Sequence, residues 1–419
     1  MMQPVQRTTL SNGITVLTVE NRATDIIAAR LFFRAGGRWE PLEQSGMSHL
    51  LAVLLTKGTH TLNSAEIAEK VESIGASLGA DASADYFVMS LKTVTADFGE
   101  ILDLAAELLR SPSFPPNEFE LEQNLTLQSI HSQKERPFNL AFQQLRSAMY
   151  PQHPYGVSIL GTEETVSQLT PAHLHQYHNT YFRPDNLIVS LSGCIDHEEA
   201  ITLIEQTLGD WQAPSHPLPT LELPPLSSHP QIDKLPQDSQ QSIIMLGYLG
   251  PSVYKREDYA ALKLLNTYLG NGLSSRLFVE LREKRGLAYD VSAFYPTRLE
   301  PSQFVVYMGT APDNTPVAIA GLEQEVKLLW EAPLAEEELQ SAKNKLLGQY
   351  ALGKQTNAEI AQILGWYETI SVGIEFDEDF QAAVQDITPQ QAQNVAQRYL
   401  GTDPYISLVG PAQALELAS

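Results

Sequence analysis

Between Thr8 and Val19, β-branched residues flank Ser11-Asn12-Gly13, the pattern of two strands joined by a tight Asn-Gly turn. Ile26 to Arg34 reads as a further strand. At Asn63 the period changes. An Asn cap, Glu66 at the third helical position and Gly75 at the end frame a helix. Strands over Ser77–Ala82 and Tyr86–Thr93 follow, then helical periodicity near 97–110, 116–135, 138–148 and 171–181. Leu187 to Gly193 closes this part of the chain as a strand. Strands and helices come in local runs rather than strict alternation. That predicts an α+β domain, a mostly antiparallel sheet with helices packed on one face.

The same order returns later. Asp85 to Met89, leading to Thr93, parallels Ser302 to Val306, leading to Thr310, at an offset of 217. A long amphipathic stretch follows each, Phe98 to Leu109 and Val317 to Leu329. Phe114–Phe119 parallels Leu334–Leu339 at an offset of 220, and Leu169–Tyr181 parallels Ile387–Tyr399 at 218. Four similarities in one order at a nearly constant offset predict a duplicated domain; the period is far too long for a solenoid. Seven prolines fall between Pro214 and Pro236. Proline sustains neither helix nor central strand, so this stretch reads as an extended, semi-rigid linker. The expected organisation is an N-terminal domain over 1–213, a linker over 214–236 and a C-terminal duplicate over 237–419.

Composition narrows the classes. At roughly 150 residues per domain, 419 residues suit two or three domains and a core that needs no staples. Cys194 is the single cysteine, which excludes an internal disulfide and fits a reducing compartment. Acidic residues outnumber basic ones 50 to 27, for a formal charge of −23. That argues against nucleic acid as the main partner and serves solubility. No apolar run approaches the ~18 residues of a membrane span, and Met1 to Gly13 lacks the apolar core of a signal peptide. The expected location is cytoplasmic.

The chemistry concentrates in two places. Gly36 to Thr59 reads GGRWEPLEQSGMSHLLAVLLTKGT. It resembles the insulinase and pitrilysin metallopeptidases, in the branch of the mitochondrial processing peptidases and their bacterial relatives. That family carries H-x-x-E-H within a stretch like G-L-A-H-F-L-E-H-M-L-F-K-G-T, and Gly46, His49, Leu51, Leu55, Lys57, Gly58 and Thr59 match it in place. The resemblance continues through Ala65–Ala82 and His153-Pro-Tyr-Gly156 and returns at Ser274–Phe294, so it spans nearly the whole chain. In such a motif two imidazoles one helical turn apart share a metal ion, and the glutamate acts as general base. Here His49 survives, the base position holds Ala52 and the second ligand position Val53. The family's third ligand, a downstream glutamate, falls on Ser129. A catalytic zinc needs about three protein ligands and an open position. The expectation is that this chain binds no metal and that its zinc motif is degenerate.

Other histidines offer no substitute. His173, His175 and His178 share a predicted helix, read as a polar face opposite Leu174, Tyr177 and Tyr181. Their counterparts Gln391, Gln393 and Ala396 carry no imidazole. His197-Glu198-Glu199 reads as a helix first turn, where acids suit the dipole.

The second place is Asn271 to Phe294, NGLSSRLFVELREKRGLAYDVSAF. Ser274 or Ser275 can cap a helix whose apolar stripe holds Leu277, Phe278 and Leu281; Arg282 sits at its edge and Gly286 ends it. Tyr289 opens the next strand. By resemblance, Arg282 and Tyr289 match the arginine and tyrosine that the family brings to its active site from the second half of the enzyme. Guanidinium and phenol suit a substrate carbonyl and the charge that develops on it. The plainer readings are a surface ion pair of Arg282 with Glu280 or Glu283 and a half-buried strand residue for Tyr289. The spacing disfavours Arg285.

Bacterial members of that branch can work as heterodimers in which one subunit keeps H-x-x-E-H and the other only the arginine–tyrosine pair. The resemblance therefore implies a non-catalytic subunit, inactive alone, whose partner holds the zinc. The assembly would enclose unfolded peptides, bound as added strands. The alternative is a catalytically inactive homodimer, a peptide-binding or scaffold protein derived from the peptidase. Neither nucleic acid nor membrane is expected as a partner.

Overall fold

The computed structural model describes residues 4–417. Strands β1 (Gln6–Thr9), β2 (Thr15–Glu20), β3 (Ile26–Phe33), β4 (Ser77–Ala82), β5 (Phe87–Val94) and β6 (Leu187–Gly193) form one sheet, in the order β1-β2-β6-β3-β5-β4. Strands β7 (Ile232–Pro236), β8 (Ser242–Gly250), β9 (Asp290–Phe294), β10 (Ser302–Thr310) and β11 (Tyr405–Gly410) form another, in the order β7-β11-β8-β10-β9. The second order repeats the first from β2 onward, and each sheet has its one parallel pair at the same place, β2 with β6 and β7 with β11. This is the duplication seen in the sequence. β7 occupies the last five residues of the proline-rich stretch, so the second sheet begins inside it. An outer strand tolerates Pro236, whose missing N–H needs no partner on the open side.

The α-helices are α1 (Met47–Leu54), α2 (Ser64–Ser73), α3 (Phe98–Arg110), α4 (Pro116–Lys134), α5 (Pro137–Met149), α6 (Glu163–Gln168), α7 (Pro171–Tyr181) and α8 (His197–Leu208) in the first half. In the second half they are α9 (Arg256–Gly270), α10 (Thr315–Glu331), α11 (Glu336–Leu352), α12 (Asn357–Thr369), α13 (Phe376–Asp386), α14 (Pro389–Leu400) and α15 (Ala412–Leu417). Asn63 closes the expected capping box with Glu66.

The compact units do not follow the halves of the chain. One joins residues up to Ile130 with 158–223 and 352–374; the other joins 131–157, 224–351 and 375 onward. Each half thus contributes one helix to the other's unit. In the first unit, alternation along β3 explains how. Ile27, Ala29, Leu31 and Phe33 join the core under the unit's own helices. The opposite face takes α12, with Gly365 against Phe32, Gln362 accepting from Arg30 Nε and Asn357 donating to the Ile26 carbonyl. Arg34 donates to the carbonyls of Glu368 and Thr369 at the C-terminal end of α12. In the second unit α5 does the same for β8 and β11. Leu145 and Met149 lie on Gly247, and Ser407 donates to Gln144.

Candidate functional site

In the first unit α1 packs against β4 and α7. Its first turn is fixed by the buried Glu40, whose carboxylate accepts from the amides of Gly46 and Ser48. His49 follows in that turn, half-buried. Burial pushes its imidazole below the ordinary range, while the carboxylates of Asp81 on β4 and Glu122 on α4 pull it back up. Glu122 also pairs with Lys57 at 2.9 Å. Ala52 is buried and Val53 half-buried against the core. Ser129 is exposed on α4 with its hydroxyl donating to the Leu125 carbonyl of its own helix. So the charged groups that act on His49 are the carboxylates of Asp81 and Glu122, the second of them held by the Lys57 ammonium. Sequence reading missed Asp81 and Glu122; the available signal was that Glu122 lies seven residues, two helical turns, before Ser129 on the same face.

Three other histidines, His175, His178 and His197, take structural roles. His178 is buried beside Tyr177 rather than on the polar face expected for it, and its Nε2–H donates to the Leu109 carbonyl at 2.8 Å. Burial lowers its pKa to about 4, so it stays neutral. His175 packs on Phe114. His197 bridges Thr8 and Thr18 through its two ring nitrogens, tying α8 to β1 and β2.

In the second unit, Arg282 lies in a π-helix, Phe278–Lys284. Such wide turns are rare and cluster at functional sites. Among the described residues neither serine hydroxyl caps this helix. Ser275 receives the Val279 amide through its carbonyl, and Ser274 faces Lys345. Leu277 and Leu281 are buried; Arg282 is exposed, its guanidinium stacked 4.9 Å over the Phe278 ring. Glu280 pairs with Lys284 instead, so Arg282 has no ion pair among the described residues. Arg285 lies against Gly321 of α10. Tyr289 holds its place by donating its N–H to the Gly309 carbonyl, while its side chain is 58% exposed at the start of β9, an edge strand. The loop before the π-helix exposes Leu273 as well.

Two family profiles match the chain: insulinase, peptidase family M16, over residues 15–163, and the peptidase M16 inactive domain over residues 168–346. The chain belongs to the M16 peptidase family. An uncharacterised zinc protease of Bacillus subtilis is 28% identical over 373 residues, 87% of this chain and 90% of its own. One from Streptomyces coelicolor is 25% identical over 417 residues, 97% and 90%. Among solved structures, an M16 inactive domain from Pseudomonas fluorescens superposes with a TM-score of 0.90 at 27% identity, covering 97% of this chain and 98% of that one. A protease from Helicobacter pylori matches in fold with a TM-score of 0.91 at 22% identity, covering 98% and 100%.

The M16 zinc ion does not fit the residues present. At the positions that the resemblance assigns to it stand His49, the apolar Val53 and Ser129, whose hydroxyl is committed to Leu125, with Ala52 at the position assigned to the base. No set of three His, Cys, Asp or Glu side chains among the described residues is arranged to hold a metal. Among them, too, no helix is long and apolar enough to cross a membrane.

Proposed function

We propose that this chain is the non-catalytic subunit of a heterodimeric M16 endopeptidase, which supplies Arg282 and Tyr289 to a site whose metal and base belong to the partner. One observation carries the reading. A chain of this family has lost its own zinc positions, yet it presents an arginine and a tyrosine whose polar ends are committed to no protein group among the described residues. The Tyr289 hydroxyl donates to the carbonyl oxygen of the scissile bond, and the Arg282 guanidinium offsets the negative charge that grows there. Stacking on Phe278 limits the freedom of Arg282 and leaves its N–H fork facing outward. Edge strand β4 offers an open backbone ladder beside α1 on which an extended peptide can be held, with open space at Gly79.

The test is capture of the chain from its own cells, followed by identification of what is present in equal amount. A homologous chain with intact H-x-x-E-H, and peptide hydrolysis by the pair but not by this chain alone, is the expected result. Recovery of this chain only as a homodimer that binds peptides without hydrolysing them would establish the inactive binding protein instead.

A further inference from the structure

The face of the first sheet that α12 covers is incompletely filled. A cleft of about 410 Å³, open to solvent, lies between β3 and α12. Tyr86, Ile363, Trp366, Ala358 and Gly353 line it with mainly apolar surface, and Arg30 enters it from the middle of β3. Glu359 stands at its rim, where its carboxylate accepts from the amides of Gln355 and Thr356 and from the Thr356 hydroxyl.

Arg30 is the feature the fold does not explain. Its neighbours in register on β5 and β6 are Ser90 and Ser190, and no carboxylate pairs with it among the described residues. It donates from Nε to Gln362 and from Nη1 to its neighbour's carbonyl at Ala29, which leaves three N–H groups. Burial lowers its pKa with no acid to compensate. A half-buried cation without a counter-charge is costly unless something supplies the charge. A guanidinium fork against aromatic and aliphatic walls matches a carboxylate attached to an apolar group.

We propose that this cleft binds the C-terminal end of a peptide chain, with the terminal carboxylate on Arg30 and an apolar last side chain between Trp366, Ile363 and Tyr86. The opening to solvent leaves room for the rest of the chain, which an enclosed cavity for a small acid does not. The proposal rests on Arg30, Tyr86 and α12 and is independent of the role given to Arg282 and Tyr289.

Calorimetric titration of the full chain with Ala-Ala-Phe, with its C-terminal amide and with 3-phenylpropionate tests it. The free acid peptide binds and amidation weakens it at least tenfold. Arg30→Gln abolishes the difference between acid and amide. Ala358→Phe, which fills the cleft from α12 without touching Arg30, removes binding of both while unfolding stays cooperative. Equal binding of acid and amide by the wild type, absence of binding at millimolar peptide, or binding of 3-phenylpropionate with exclusion of the peptide each overturns the proposal. So does an acid preference that survives Arg30→Gln.

Discussion

Glu40 stands where the helix of His49 begins, and its carboxylate has the amides of Gly46 and Ser48 as partners. Burial outweighs those hydrogen bonds and pushes its pKa up to about 7. The sign follows from linkage. A carboxyl raised in the folded state stabilises fully below its unfolded value near 4.5, and that contribution is lost as pH rises through about 7. The effect is at most roughly 3 kcal/mol. In Glu40→Gln the side-chain amide turns a donor toward one of the two backbone donors, at about 1–3 kcal/mol. Urea unfolding should therefore show a clear loss of stability in Glu40→Gln at pH 5 and a much smaller one at pH 8. Equal losses at both pH values would contradict the account. Individual residues were unevenly legible in the sequence. His49, Ala52 and Val53 were singled out because a motif fixes their spacing, and Ser129 because the resemblance puts a downstream glutamate there. Asp81 and Glu122 could not, because their approach to His49 depends on a strand and a helix far apart in sequence. His178 was misread because helical periodicity alone does not say which polar side chain will find a carbonyl in the core.

Strand and helix positions followed from local patterns. The strand at Leu187–Gly193 and the helix at Pro171–Tyr181 stand where the sequence pattern put them. The exchange of α5 and α12 had no such signal, since an amphipathic helix records that it has an apolar face and not which sheet receives it. The structure shows its cost in side-chain volume. A Cβ on Gly365 would stand 2.5 Å from the Phe32 ring and 2.8 Å from Ser190. Gly365→Val should destabilise the protein by about 2–4 kcal/mol, since neither the strand nor the ring can yield without opening the sheet face. Chemical unfolding measures this; a loss below about 0.5 kcal/mol would mean that α12 is not seated as described. The π-helical turn was likewise invisible, because nothing in Phe278–Lys284 distinguishes a wide turn from an ordinary one by composition.

At the scale of the molecule, the duplication was the most legible feature, carried by offsets of 217 to 220 and realised as one strand permutation used twice. The linker was legible as extended chain, although its last five residues are an outer strand of the second sheet. Purified alone, the chain should contain well under one zinc per molecule by elemental mass spectrometry. Its unfolding temperature should also be unmoved by a chelator, because its core closes without metal ligands. Stoichiometric zinc would contradict the reading of His49. The decisive measurement is peptide hydrolysis by the proposed complex of this chain with an H-x-x-E-H subunit, comparing wild type with Arg282→Ala and Tyr289→Phe at equal assembly. The account predicts that turnover falls by about 10²-fold or more in each variant while the complex stays intact. Unchanged turnover in both would remove this chain from the active site.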